Sequence, residues 1–299
     1  PMRLIMHIGT EKTGTSTIQA FLARNRARFL QDGALAPESL GATNHRVLAA
    51  IASDDARVDE FFTEQGLTDA GDRMVAKARW IEAFRAEVAE KAPDRVIVSS
   101  EHLQSRLRQP AELARLKSIL EGIFDEITVL IYLREPVATA ISALSTAIKF
   151  GNGSMDIPLP SNVYFDNLVN HAQTVERWSA VFGRDALRLR LFAPDALAGG
   201  DLLTDFCEAT GLPAGDYARP ERTNTSLDGL GIALLARMNT WIAKQTGQPA
   251  WTQDREALLA FCETHFSSGP GHMPAEDRVT AYNEAYGASN ERIRAEFFP

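Results

Sequence analysis

The segment Ile8–Gln19 reads IGTEKTGTSTIQ and concentrates groups that bind a phosphate. Gly9 and Gly14 let a backbone turn and come close to a ligand. Lys12 brings a full positive charge, and Thr13, Thr15, Ser16 and Thr17 bring hydroxyls. A glycine loop that runs into a helix also aims unpaired N–H groups at one point, which is how an anion is held. The common nucleotide loop, G-x-x-x-x-G-K-[ST], has its lysine directly after the second glycine. Here Thr15 takes that place and the only lysine, Lys12, lies inside the loop. Two other clusters carry chemistry. Glu101 and His102 pair a carboxylate with an imidazole, the groups that relieve a hydroxyl of its proton. Arg134 is followed by Pro136 and, eight residues after the arginine, by Ser142. A guanidinium fork suits a terminal phosphate dianion.

These clusters need elements to hold them. Apolar runs at Leu4–Ile8, Asp94–Ser100, Ile127–Leu133 and Ala186–Phe192 are expected as buried strands, and each of the three clusters directly follows one of them. Helical periodicity is expected over Thr15–Leu30, Arg73–Lys91, Pro110–Glu121, Pro136–Phe150 and Val163–Phe182. The last third is expected to be helical at Asp201–Thr210, Leu227–Gln245, Arg255–Phe266 and Asp277–Phe298. Residues 33–70 are expected to be irregular, and Gly151–Ser161 is a glycine- and proline-rich loop. Strands alternating with helices predict an α/β fold with a mostly parallel central sheet flanked by helices. Ligands of such sheets bind beyond the C-terminal strand ends, where all three clusters fall.

The loop GTEKTGTST resembles the 5'-phosphosulfate-binding loop of sulfotransferases, K-[ST]-G-T-[TS]. Members of that family use 3'-phosphoadenosine-5'-phosphosulfate (PAPS) as co-substrate and release the desulfated nucleotide, PAP. The resemblance implies that Lys12 contacts the bridging oxygen and the phosphosulfate. It places Thr13, Gly14, Thr15, Ser16 and Thr17 around the 5'-phosphate. The stretch YLREPVATAISALSTAIKFG resembles the same family's 3'-phosphate motif, which assigns that role to Arg134 and Ser142. ERTNTSL, Glu221–Leu227, resembles an R-x-N-x-S segment of bacterial and carbohydrate-type members. By that likeness Arg222, Asn224 or Ser226 would close over the nucleotide, while a helix N-cap before Leu227 explains Thr225 and Ser226 equally well. Where the family often reads Y-E-D-L this chain has Phe192, Ala193, Pro194 and Asp195, so no role is carried over there. The resemblance runs in outline from Leu4 to about Pro213 and is dense at residues 7–19 and 131–151.

Sulfuryl transfer to an alcohol needs a base, in-line positioning and stabilisation of the leaving phosphate, by analogy with phosphoryl transfer. Lys12 is placed for the leaving group. Glu101 is the first choice of base, since carbohydrate-directed members of the family often use a glutamate. His102 and His45 are the other candidates, His45 because residues 33–93 are expected to form the acceptor pocket. His7, inside a strand, reads as a packed core histidine. Trp80, Trp178, Trp241 and Trp251 are helix-packing residues or acceptor-site walls.

The net charge of -8 argues against a broad nucleic-acid surface, which rests on many basic contacts to phosphates. The two cysteines, Cys207 and Cys262, lie in apolar helical patterns and are expected to be buried thiols. No Cys/His grouping has zinc spacing, so no metal is expected. The apolar runs fall short of the roughly 20 residues of a membrane span, and the expectation is a cytoplasmic protein. Its partner is expected to be a small-molecule or carbohydrate acceptor, within a single domain over 1–299 whose last part, 220–299, is helical. Two other readings remain: a P-loop kinase or nucleotide hydrolase with a displaced lysine, and a PAP-binding protein without transferase activity.

Overall fold

A computed structural model describes residues 1–213, 215–221 and 225–298. In chain order it contains β1 (Arg3–His7), α1 (Thr15–Arg24), α2 (Arg26–Gln31), β2 (Ala34–Leu35), α3 (Arg46–Ala52), α4 (Glu60–Glu64) and α5 (Ala70–Lys91). There follow β3 (Arg95–Ser99), α6 (His102–Arg106), α7 (Pro110–Glu121), β4 (Glu126–Leu133), α8 (Pro136–Lys149), α9 (Val163–Val169) and α10 (His171–Phe182). The remainder is β5 (Leu187–Leu191), α11 (Leu202–Thr210), α12 (Gly229–Thr246), α13 (Glu256–His265) and α14 (Glu276–Phe297).

The five strands form one sheet in the order β2-β3-β1-β4-β5. Every pairing is parallel, with Met6 of β1 opposite Val98 of β3 and Val129 of β4. Parallel strands buried on both faces need near-continuous apolar sequence, and EITVLIYL in β4 meets that requirement. Leu130 and Tyr132 pack with Ile18, Phe21 and Leu22 of α1, Phe29 of α2, and Leu203 and Phe206 of α11. Their alternates along the strand, Val129 and Ile131, are equally buried, as are Met6 and Val98. The sheet is thus the α/β core expected from the alternation of strands and helices, all parallel where a mostly parallel sheet was expected.

The chain divides into two compact units. The first, Pro1–Arg134 with His171–Pro220, contains the whole sheet. The second, Glu135–Asn170 with Glu221–Pro299, is helical. Its core joins Ala140, Leu144 and Ile148 of α8 to Leu235 and Ala236 of α12, Cys262 of α13, and Tyr282 and Tyr286 of α14. Among the described residues no helix is long and apolar enough to cross a membrane.

Two expected helices are broken, each at an asparagine. The run Thr15–Leu30 stops at Asn25, whose side chain donates to Phe21 O and Ala218 O, both at 2.8 Å, and accepts from Ala218 N. The run Val163–Phe182 breaks at Asn170, where the first unit resumes. Residues 33–70, expected to be irregular, hold β2, α3 and α4. Two buried cations, Lys77 and Arg73, and the half-buried Arg115 fasten them. Lys77 Nζ donates to Ser53 O at 2.6 Å, Arg115 Nη1 to the same oxygen at 2.8 Å, and Arg73 to the carbonyls of Asp55, Leu67 and Thr68. The cap of α12 is Asp228, which accepts from Gly231 N, and not Thr225 or Ser226. Cys262 is buried as expected, whereas Cys207 is half-buried.

Candidate functional site

The loop after β1 continues the strand's hydrogen bonding before it turns away. Ile8 N donates to Leu130 O and Thr10 N to Tyr132 O, while Gly9 O accepts from Tyr132 N. Gly9 has φ 105°, and a Cβ there would lie 3.3 Å from Cα and Cβ of Glu101. The loop backbone and the end of β3 are therefore in direct contact. Gly14 has φ 75°, and a Cβ on it would run into Leu202. Both motif glycines are required by conformation and by space.

The hydroxyls of the loop divide. Thr10 and Thr13 are fully buried, and Thr13 Oγ1 donates to Thr10 O at 2.6 Å, so this hydroxyl stiffens the loop from within. Thr15 is buried, while Ser16 and Thr17 are exposed on the first turn of α1. That turn starts at Gly14, carries no side-chain cap and contains no acidic residue. A helix start left in this state has its positive dipole end and N–H groups available to an anion.

Lys12 is one of two non-glycine residues with positive φ among those described, at 65°. This left-handed conformation is uncommon for a side chain with a Cβ. Arg134 supports it: its Nη1 donates to Lys12 O at 2.8 Å. The Arg134 guanidinium lies 5.4 Å from the Phe192 ring centroid, and the Arg134 carbonyl accepts from His171 Nε2 at 2.7 Å. Burial lowers the Lys12 pKa; Glu11 and Glu101 pull it back up, and Arg134 pushes it down. Lys12, Glu101 and Arg134, from the ends of β1, β3 and β4, therefore share one electrostatic neighbourhood.

Glu101 precedes α6 and is held by neutral donors. Gln19 Nε2 of α1 donates to its Oε2 at 2.6 Å, and Asn44 Nδ2 lies 3.1 and 3.2 Å from its two oxygens. His102 Nε2 is 3.7 Å from Glu101 Oε1, beyond a good hydrogen bond. Burial, then Arg46 and Arg106, push the His102 pKa down to about 4, so its imidazole is neutral at pH 7.

His45 is different. It is fully buried, and its Nδ1 accepts from Ser99 N at 2.9 Å, so the ring proton is on Nε2, beside the Pro37 carbonyl. An imidazole so arranged has no lone pair to offer a substrate. Its backbone N–H also donates to Ser99 O, so His45 ties the 33–70 segment to β3. His7 is the packed core histidine expected, edge-on to Tyr132 and Phe206.

The remaining motif residues belong to other parts of the chain. Ser142 belongs to the helical unit, half-buried on α8, where its carbonyl accepts from Thr146 Oγ1. Arg222 and Asn224 lie outside the described residues. Trp178 is fully buried and Trp80 packs on Phe61 and Phe62, whereas Trp241 and Trp251 are exposed in the helical unit. Among the described residues no group of three or more His, Cys, Asp or Glu could hold a metal ion. Gln19, Asn44 and Phe192 are contributors that the motifs did not single out. Gln19 is four residues after Thr15, hence on the same face of α1.

No protein-family model matches the chain, nor does any curated protein. Among solved structures the chain is similar to the crystal structure of a sulfotransferase from Alicyclobacillus acidocaldarius. The two are 18% identical, the match covers 83% of this chain and 98% of that one, and the TM-score is 0.44.

Proposed function

We propose that this chain transfers a sulfuryl group from PAPS to the hydroxyl of a polar, carbohydrate-like acceptor. The observation that carries the reading is the meeting of Lys12, Glu101 and Arg134 at three adjacent strand ends, with Arg134 hydrogen-bonded to the lysine's own carbonyl. The loop motif and the arginine after β4 support a ligand with phosphates at both ends. An uncapped helix start, a lysine and a guanidinium form a donor set suited to it.

PAPS would supply a sulfuryl group already attached to a good leaving phosphate. The chain's residues then have three tasks. The Lys12 ammonium offsets the charge that builds on the leaving phosphate oxygen as the S–O bond breaks. The amides of Thr15, Ser16 and Thr17, with the exposed hydroxyls of the last two, hold the 5'-phosphate. Glu101 takes the proton from the acceptor oxygen as the new O–S bond forms, and PAP leaves. Gln19 and Asn44 aim the carboxylate without neutralising it. Glu101 is preferred to His45, whose lone pair is engaged, and to His102, which faces Glu101 as a neutral neighbour.

Binding and turnover test the reading together. The protein should bind PAP more tightly than ATP in calorimetry. Labelled PAPS should pass its sulfur to a polyol or sugar acceptor, and Lys12→Ala should abolish that transfer. Arg134→Ala should erase the preference for PAP. Equal affinity for ATP and PAP, unchanged in Arg134→Ala, would remove the assignment, and magnesium-dependent ATP turnover would replace it with phosphoryl chemistry.

A further inference from the structure

The helices α3 and α6 carry two arginines, and they are not alike. Arg46, on α3, pairs with Asp59, which caps α4, and its guanidinium lies 5.2 Å from the Phe61 ring centroid. Both partners are well covered, with side chains 13% and 15% exposed. The Asp59 oxygens are taken: one by Arg46 Nη2, the other by Phe62 N at 3.2 Å. Arg106, the last residue of α6, is four residues after His102 and so on the same helix face. It is half-buried and its Nε is shut off from solvent. Among the described residues no hydrogen bond or ion pair closes on its guanidinium. Arg106 lies within electrostatic reach of Arg46, Asp59 and His102.

An arginine does not escape its charge by deprotonation. A partly desolvated guanidinium without an acceptor is costly, and a fold tolerates it where a ligand completes the pair. Polar atoms at and beside Glu101 point the same way. Asn44 Oδ1, Ser100 Oγ and His102 Nδ1 are all buried without a hydrogen-bond partner. Three unsatisfied atoms belong to residues that contact or adjoin Glu101, and the guanidinium without an acceptor lies within reach of His102.

We infer that Arg106 selects an acceptor alcohol that carries an oxyanion (a carboxylate, phosphate or sulfate ester) close to the hydroxyl being modified. This rests on the sulfuryl-transfer reading for the word acceptor; the anion pocket itself does not. The guanidinium binds the oxyanion, and Glu101 faces the hydroxyl that reacts.

Two experiments separate the pocket from the reaction. In the first, labelled PAPS is offered with glucose, glucuronate or glucose 6-phosphate. A charge-assisted contact predicts a kcat/KM for one of the two anions about tenfold or more above glucose. In Arg106→Gln that ratio should fall towards one, and Arg106→Lys should restore part of it. In the second, wild-type protein is treated with phenylglyoxal and the modified arginines are mapped by mass spectrometry. Glucuronate or glucose 6-phosphate should shield Arg106, and glucose should not. Shielding without any transfer would keep the anion pocket and sink the sulfuryl-transfer reading. Transfer with no preference for an anion would sink the pocket and keep that reading. An Arg106 that phenylglyoxal never reaches would also overturn the pocket, since its guanidinium would be sealed from any ligand.

Discussion

Glu101 and Asp205 are both shielded carboxylates of the sheet-containing unit, and they are held in opposite ways. Asp205, on α11, has a side chain only 1% exposed. Its Oδ2 accepts from Tyr132 Oη and Arg190 Nε, both at 2.6 Å, and its Oδ1 from Arg190 Nη2 at 2.6 Å and Ala198 N at 2.9 Å. Burial would raise its pKa, yet the guanidinium and the tyrosine hold it below the ordinary carboxylate range. Glu101 has two amides and no ion pair to arginine or lysine within bonding distance among the described residues. A carboxylate saturated by a fork of N–H donors is a structural joint. One steadied by neutral amides has no guanidinium or ammonium bonded to it. The contrast separates what holds β4, β5 and α11 together from what the strand ends present to a ligand.

The contrast predicts that the two carboxylates fail differently. Glu101→Gln should lower kcat by about 10²–10⁴-fold, the usual weight of a general base, and leave the melting temperature nearly unchanged. Asp205→Asn should do the reverse. Removing one partner of a buried pair costs about 3–5 kcal/mol, read as a fall in the urea midpoint, while the folded fraction keeps its turnover. If Glu101→Gln melted the protein or Asp205→Asn silenced it, the division of labour would be wrong.

A pH series sharpens the same comparison at somewhat smaller amplitude. His7 and His45 are fully buried, and burial pushes both pKa values down from 6.5 to about 3. The unfolded chain takes up protons near pH 6.5 and the folded chain does not, so stability is complete above that pH and drains as it falls towards 3. Between pH 6.5 and 5 each histidine should remove about 2 kcal/mol, from a linkage slope of about 1.4 kcal/mol per unit. Urea midpoints at pH 7 and pH 5 check this, and equal midpoints would contradict it. The smallest effect is expected from the supports: Gln19→Ala or Asn44→Ala should each lower kcat by a few-fold to about tenfold, the weight of one hydrogen bond to a charged group, with KM for PAPS little changed.

Much of this arrangement is legible in the sequence. The strands announce themselves as apolar runs, and glycine, lysine and hydroxyls cannot gather so densely after a strand without local purpose. The features that were not legible depend on partners far along the chain. Asn25 breaks a helix because it binds the backbone of Ala218, 193 residues away. Helices α3 and α4 are too short to show a period, and they persist because Arg73, Lys77 and Arg115 reach across to their connecting carbonyls. Asn44 and Gln19 look ordinary until folding brings both to one carboxylate. His45 looked like a reactive histidine in a loose segment, and burial against Ser99 made it a fastening instead.

The contact of Gly9 with Glu101 has a consequence for how such a site could be remodelled. A Cβ at position 9 would lie 3.3 Å from Cα and Cβ of Glu101, so the loop after β1 could take it only if its neighbour gave way by a few tenths of an ångström. The approach of the Lys12 loop to Glu101 is therefore limited at position 9 by the missing side chain. A single alanine there would widen that approach while every reactive side chain stayed in the chain.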